Sequence, residues 1–128
     1  MSLIEVDDLL VLRRRLADAD VPIIELDLSG CGSKADLMMR CDASLQLPAG
    51  FGGNWDALFD VLRDRVLSLV DQRGVGAVIF FGTGDLTREA PEVVRALQGT
   101  LFDLTSVFPA ERCLVYWVVP TSPKMPEQ

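Results

Sequence analysis

Apolar residues recur along this chain with two periods, one close to 3.6 and one near-continuous, and the changes between them divide it into helices and strands. From Glu5 to Ala19, Val6, Leu9, Leu10, Leu12 and Leu16 make one side of a short amphipathic helix. Val21 to Leu28 reads as a first strand, with Pro22 at its start, where a missing N–H does little harm. Ser33, with Asp36 three residues on, is a loose capping box that opens a second helix to about Leu45. Met38, Met39 and Leu45 are expected in the core. After Pro48 comes a glycine-rich turn, Gly50-Phe51-Gly52-Gly53, that runs into Asn54, a strong N-cap residue. Leu58, Val61, Leu62, Val66 and Leu69 then recur at helical spacing and define a buried stripe. A polar connection from Ser68 to Gly74 leads to Gly76–Phe81, an apolar run of the kind found in strands covered on both faces. Gly82 to Asp85 breaks it. A longer helix beginning near Pro91 carries Val94, Leu97, Leu101, Leu104 and Phe108 on one side, with Gly99 as its weak point. Leu114 to Val119 is a last buried strand, and Pro120, Pro123 and Pro126 mark a frayed tail.

Strands separated by helices, two of them apolar throughout, imply an α/β fold: a small three-stranded parallel sheet packed with helices. The expected organisation is an N-terminal extension over residues 1–20, helical in character, one domain over 21–120, and a flexible tail over 121–128. No internal repeat and no inter-domain linker interrupts it.

The central helix has a second face. At about 100° per residue, Asp56, Asp60 and Asp64 lie in an i, i+4, i+8 row opposite the buried stripe, with Trp55 and Phe59 on the flank between the two. Like charges at this spacing weaken a helix by a few tenths of a kcal/mol. The plain reading is a solvated acidic face, with Asp56 favoured by the helix dipole and Asp64 paired with Arg63 or Arg65. The functional reading is a patch for a basic partner.

Composition narrows the choice. Hydrophobic residues make up 49% of the 128, enough for one well-buried domain. The net charge of -7 disfavours nucleic acid and suits a basic partner, whose approach an acidic patch accelerates. Arg13-Arg14-Arg15 is a local basic spot on a solvated helix face. There is no histidine, which removes the commonest general base and metal ligand, so no catalytic residue is assigned. Cys31, Cys41 and Cys113 are an odd set without a C-x-x-C pair, fitting a reducing compartment and packed thiols. The acidic start is unlike a signal peptide and no run is long enough to span a membrane, so a cytoplasmic protein is expected. The glycine turn could be read as an anion cradle, but it follows no strand, lacks a following lysine, and Asp56 would repel a phosphate. Asp56 and Asp60 as metal ligands of an enzyme form another alternative, with no further ligand cluster in sequence to support it. No cofactor is implied.

Leu45-Gln46-Leu47-Pro48, then Phe51-Gly52, Asn54, Asp56-Ala57-Leu58 and Asp60, resemble the central segment of the barstar family. Leu26-Asp27, Ser33 and Asp36-Leu37 fit upstream; Val78-Ile79-Phe80 and Ala110-Glu111-Arg112-Cys113 fit downstream. The resemblance spans roughly Ile23 to Val119 and is sharpest from Leu45 to Leu62. It implies a barstar-like fold and a proteinaceous inhibitor that plugs the active site of a basic, secreted-type microbial ribonuclease, with no chemistry of its own. It also implies the partner-binding residues. Asp60 reaches deepest with Asp56 in support, Phe51, Gly52, Gly53, Asn54, Trp55 and Phe59 give backbone and packing contacts, and Arg63, Asp64 and Glu111 lie nearby. The family loop commonly has two adjacent aromatics, whereas Gly50 replaces the first here. Arg63 puts a positive charge beside the acidic row. Acidic contacts of the family's last helix have no close match, since Val107 falls near one place and only Glu111 aligns. The alternative is an interaction module of the same fold that binds another basic protein or toxin.

Overall fold

A computed structural model describes residues 3–46, 53–109 and 111–119. In chain order the elements are β1 (Ile4–Val6), α1 (Leu9–Asp18), β2 (Ile23–Asp27), α2 (Lys34–Leu45), α3 (Trp55–Arg73), β3 (Gly76–Phe81), α4 (Gly84–Glu89), α5 (Pro91–Ser106) and β4 (Cys113–Val118). The strands form one parallel sheet in the order β1-β4-β3-β2.

This corrects the expected three strands to four. Ile4-Glu5-Val6 is a short alternating segment with β-branched residues at either end, and it pairs with Tyr116 to Val118. The first helix accordingly begins at Leu9 rather than Glu5, because Asp8 takes an extended backbone and its carboxylate accepts the Val11 N–H at 3.0 Å. The central helix is longer than its polar end suggests. Leu69 and Val70 keep the apolar period going, and Gly74, at φ +84°, closes it in the left-handed conformation. Gly99 interrupts nothing: α5 continues through it to Ser106.

Two apolar layers sandwich the sheet. On one face Leu26, Val78, Phe80, Val115 and Trp117 pack with Leu37, Cys41 and Leu45 of α2, Leu58, Leu62 and Val66 of α3, and Leu97, Leu101 and Leu104 of α5. Phe80 and Trp117 stack at 6.0 Å between ring centroids. On the other face Leu12 and Leu16 of α1 cover Ala77 and Ile79. Buried on both sides, β3 is the apolar run that its sequence announces. Because β1 and β2 lie at opposite edges, the α1 connection crosses the whole second face. Arg13 clamps it there, with Nε and one Nη each 2.7 Å from an oxygen of Glu25 on β2, and its guanidinium 5.3 Å from the Phe81 ring centroid.

All three cysteines are buried and free. Burial pushes the Cys41 thiol up to about 12 and Cys113 to about 11, so neither is a ready nucleophile. Met38 is in the core as expected, but Met39 is 71% exposed: α2 buries Leu37, Met38, Cys41 and Leu45, and residue 39 falls off that stripe. Among the described residues no helix is long and apolar enough to cross a membrane.

Candidate functional site

The start of α3 is held from three directions. Gly53 takes φ +65°, which favours glycine, and Asn54 an extended backbone, the non-helical conformation of an N-cap residue. The Asn54 side chain then accepts the Ala57 N–H at 2.7 Å, and its carbonyl accepts the Leu58 N–H at 3.1 Å. Leu58, Leu62 and Val66 are fully buried beneath the helix. From the side, the Arg65 guanidinium donates to the Leu45 carbonyl, satisfying an orphan acceptor at the end of α2 and tying the two helices together. Asn54→Ala should therefore lower stability by about 1 kcal/mol through the lost cap, as read from urea unfolding.

On this support the flank and outer face line up as the helical period requires. Trp55 and Phe59 are half-buried and pack against the main core, and Asp56, Asp60 and Asp64 stand in solvent. The Asp60 side chain is 61% exposed and that of Asp64 69%. Arg63 sits between them, with one Nη 3.6 Å from Asp60 Oδ1 and the other 3.3 Å from Asp64 Oδ1. The plain reading of Asp64 as a paired surface acid thus holds. The Arg63 guanidinium also lies 5.9 Å from the Phe59 ring centroid, and Lys34 Nζ, from the start of α2, lies 5.4 Å from that of Trp55.

Trp55, Asp56 and Phe59 form one wall of a shallow groove of about 220 Å³, whose other wall is Thr100 and Asp103 of α5. The Thr100 hydroxyl is turned back onto the Ala96 carbonyl at 3.1 Å, so Asp103 is the charged group on that side. Sequence reading missed Asp103. A helical wheel puts it outside the α5 stripe, beside buried Leu101 and Leu104, but only the packing of α5 on α3 sets it opposite Asp56.

Glu111 goes elsewhere. It is exposed, at φ +73°, in the turn before β4, next to Arg112, which donates to the Gly74 carbonyl at 3.1 Å. Gly74 caps the far end of α3, and a 19-residue helix rising 1.5 Å per residue sets that end about 27 Å from Trp55. Phe51 and Gly52 lie outside the described residues. The structure thus brings together Gly53, Asn54, Trp55, Asp56, Phe59, Asp60, Arg63 and Asp64 on one helix and its entry, adds Asp103 and Lys34, and sets Glu111 apart. Among the described residues there is no grouping of three or more His, Cys, Asp or Glu side chains suited to a metal ion.

The helix presents carboxylates beside half-buried aromatic rings on a small parallel α/β scaffold. The chain belongs to the barstar family: the family's sequence model, described as Barstar (barnase inhibitor), matches residues 21–119. No curated protein matches the chain. The matched span begins after α1, so the edge strand β1 and α1, which covers the second face of the sheet, lie in front of it.

Proposed function

We propose that this protein inhibits a basic microbial ribonuclease by laying the N-terminal half of α3 into its active site. The observation that carries the reading is Asp60, an exposed carboxylate held mid-helix above a fully buried stripe, with Asp56 and Asp103 beside the same aromatic groove. A ribonuclease site holds an RNA phosphate with Lys, Arg and His, and carboxylates on a rigid support can take the phosphate's place through charge-assisted hydrogen bonds. Rigidity matters because little side-chain or backbone order remains to be imposed on binding. By the family resemblance, Phe51 and Gly52, just before Gly53 in sequence, would add partner contacts. Inhibition is by occlusion: the groups gathered here are carboxylates, an amide, aromatic rings and the cations Arg63 and Lys34, and the chain has no histidine to act as a base. The free, buried cysteines suit a cytoplasmic protein that guards its own cell's RNA.

The test is a titration of a basic microbial ribonuclease such as barnase with the purified protein, following RNA cleavage. Activity should fall to an end point at one inhibitor per enzyme. The association rate should drop markedly between low and physiological ionic strength while dissociation changes little, because the acidic face steers the encounter. Undiminished cleavage at excess inhibitor, across a panel of such nucleases, would turn the reading toward a different basic protein as the partner.

A further inference from the structure

We infer that Arg63 decides which partners this face accepts: it occupies the Asp60 carboxylate in the free protein and requires of the partner an acceptor for its displaced guanidinium. The inference rests on the proposed function and names the chemistry of the nuclease that fits. One guanidinium reaches three features of the site at once, Asp60 at 3.6 Å, Asp64 at 3.3 Å and the Phe59 ring at 5.9 Å. A second cation, Lys34, is seated 5.4 Å over the other aromatic ring, Trp55. The Trp55 and Phe59 rings therefore each carry a positive charge, and the acids Asp56, Asp60, Asp64 and Asp103 are interleaved with Lys34 and Arg63. The face is alternating, not uniformly acidic.

Displacing Arg63 from Asp60 in water costs little, since exposed ion pairs are weak. The consequence comes when the interface closes. Opposite a site lined only by Lys, Arg and His, the freed guanidinium is left desolvated among like charges, which suppresses binding. Opposite a cationic site bordered by a carboxylate or a free backbone carbonyl, it swings across and forms a second, oppositely directed pair beside that of Asp60. Its planar fork suits a carboxylate in particular. The fitting partner is thus a ribonuclease whose cationic centre has an acidic residue on its rim.

The experiment measures association and dissociation of the full-length protein with barnase for the parent, Arg63→Ala, Asp60→Ala and Arg14→Ala. Arg14 is exposed on α1, across the sheet from α3, so its loss changes net charge equally but not the site. A second series uses barnase variants in which single Lys or Arg residues around the active site are replaced by Glu. Arg63→Ala should bind barnase about tenfold more tightly or better, with Arg14→Ala within about twofold of the parent. At least one Glu-bearing barnase variant should reverse the order, binding the parent more tightly than Arg63→Ala. Binding by Arg63→Ala where the parent fails also supports the inference. If binding requires Asp60 but Arg63→Ala is within about twofold of the parent or weaker, and no variant reverses the order, the inference fails while the proposed site stands. If neither parent nor Arg63→Ala binds any form of barnase or any other basic microbial ribonuclease of the panel, both fail together.

Discussion

Asp60→Ala is expected to abolish inhibition while leaving the melting curve where it was. In the free protein Asp60 is exposed, its ion pair with Arg63 is a 3.6 Å surface contact, and it stands in a row with two other aspartates. Its removal relieves like-charge crowding and lets Arg63 turn fully to Asp64, so stability should stay within about ±0.5 kcal/mol, as for most surface changes. In the complex the same carboxylate is taken out of water against Arg or Lys of the nuclease. Truncation leaves those charges buried and unpaired, at about 2–5 kcal/mol or more, roughly 30- to 5,000-fold in affinity. Asp36→Ala provides the opposite pattern. The Asp36 carboxylate accepts the Gly32 N–H at 3.0 Å at the start of α2 and is no part of the acidic face, so its loss should destabilise mildly and leave inhibition intact. Melting curves beside a ribonuclease titration separate the two properties. If Asp60→Ala inhibits as well as the parent, Asp60 is not the anchor, and the groove between α3 and α5 becomes the place to look.

How much of this was legible beforehand follows from the range of the interactions concerned. The cap at Asn54, the buried stripe from Leu58 to Val66 and the exposure of Asp56, Asp60 and Asp64 all follow from helical geometry within one segment, and the structure has each of them. β3 was legible because a run with no polar break can hardly be anything but a doubly covered strand. What was not legible depends on partners distant in sequence. Ile4–Val6 has only three residues, too few for a periodic signal, and becomes a strand because β4 offers a free edge. Glu5 and Val6 were absorbed into the neighbouring helix, which is why the sheet was counted one strand short. Glu111 and Asp103 show the same limit within the site. Aligning a single acid by its place before the last strand found Glu111, which the turn carries to the far end of α3. Asp103 has no local mark beyond being polar on an amphipathic helix, and only the packing of α5 on α3 gives it a role. Arg63 was visible as a charge out of place, but that it touches Asp60, Asp64 and Phe59 together is a fact of rotamers.

Gly82→Ala is expected to be strongly destabilising, since an added Cβ there meets the closest contacts found for Gly30, Gly32, Gly53, Gly74, Gly76, Gly82 and Gly99. Gly82 follows β3 at φ +67°, where an L side chain is strained by about 1–2 kcal/mol. There is also no room: a Cβ would lie 2.3 Å from Ser29 Oγ, 2.6 Å from Asp27 Oδ1 and 2.7 Å from the Ser29 backbone nitrogen. The neighbours cannot simply withdraw. Leu28 N–H donates to the Phe81 carbonyl at 2.8 Å, and an Arg40 Nη holds the Asp27 carbonyl at 2.6 Å. Asp27 Oδ1 accepts both the Ser29 hydroxyl at 2.6 Å and the Ser29 N–H at 3.0 Å, and that tight turn is what the methyl would force apart. Strain and overpacking together should cost on the order of 3 kcal/mol at neutral pH. The pH dependence gives a second check on the cause. The Ser29 hydroxyl first, then its N–H, holds the Asp27 carboxyl below the ordinary carboxylate range. A depressed carboxyl stabilises the fold above its unfolded pKa of about 3.9, and that contribution is lost as pH falls through the lower folded value. The parent has this contribution to lose and Gly82→Ala, with the turn opened, does not. Urea unfolding at pH 7 and at about pH 3 should therefore show the gap between the two proteins narrowing in acid. A gap that is small at pH 7, or equal at both, would mean the Asp27–Ser29 turn yields to the methyl without breaking.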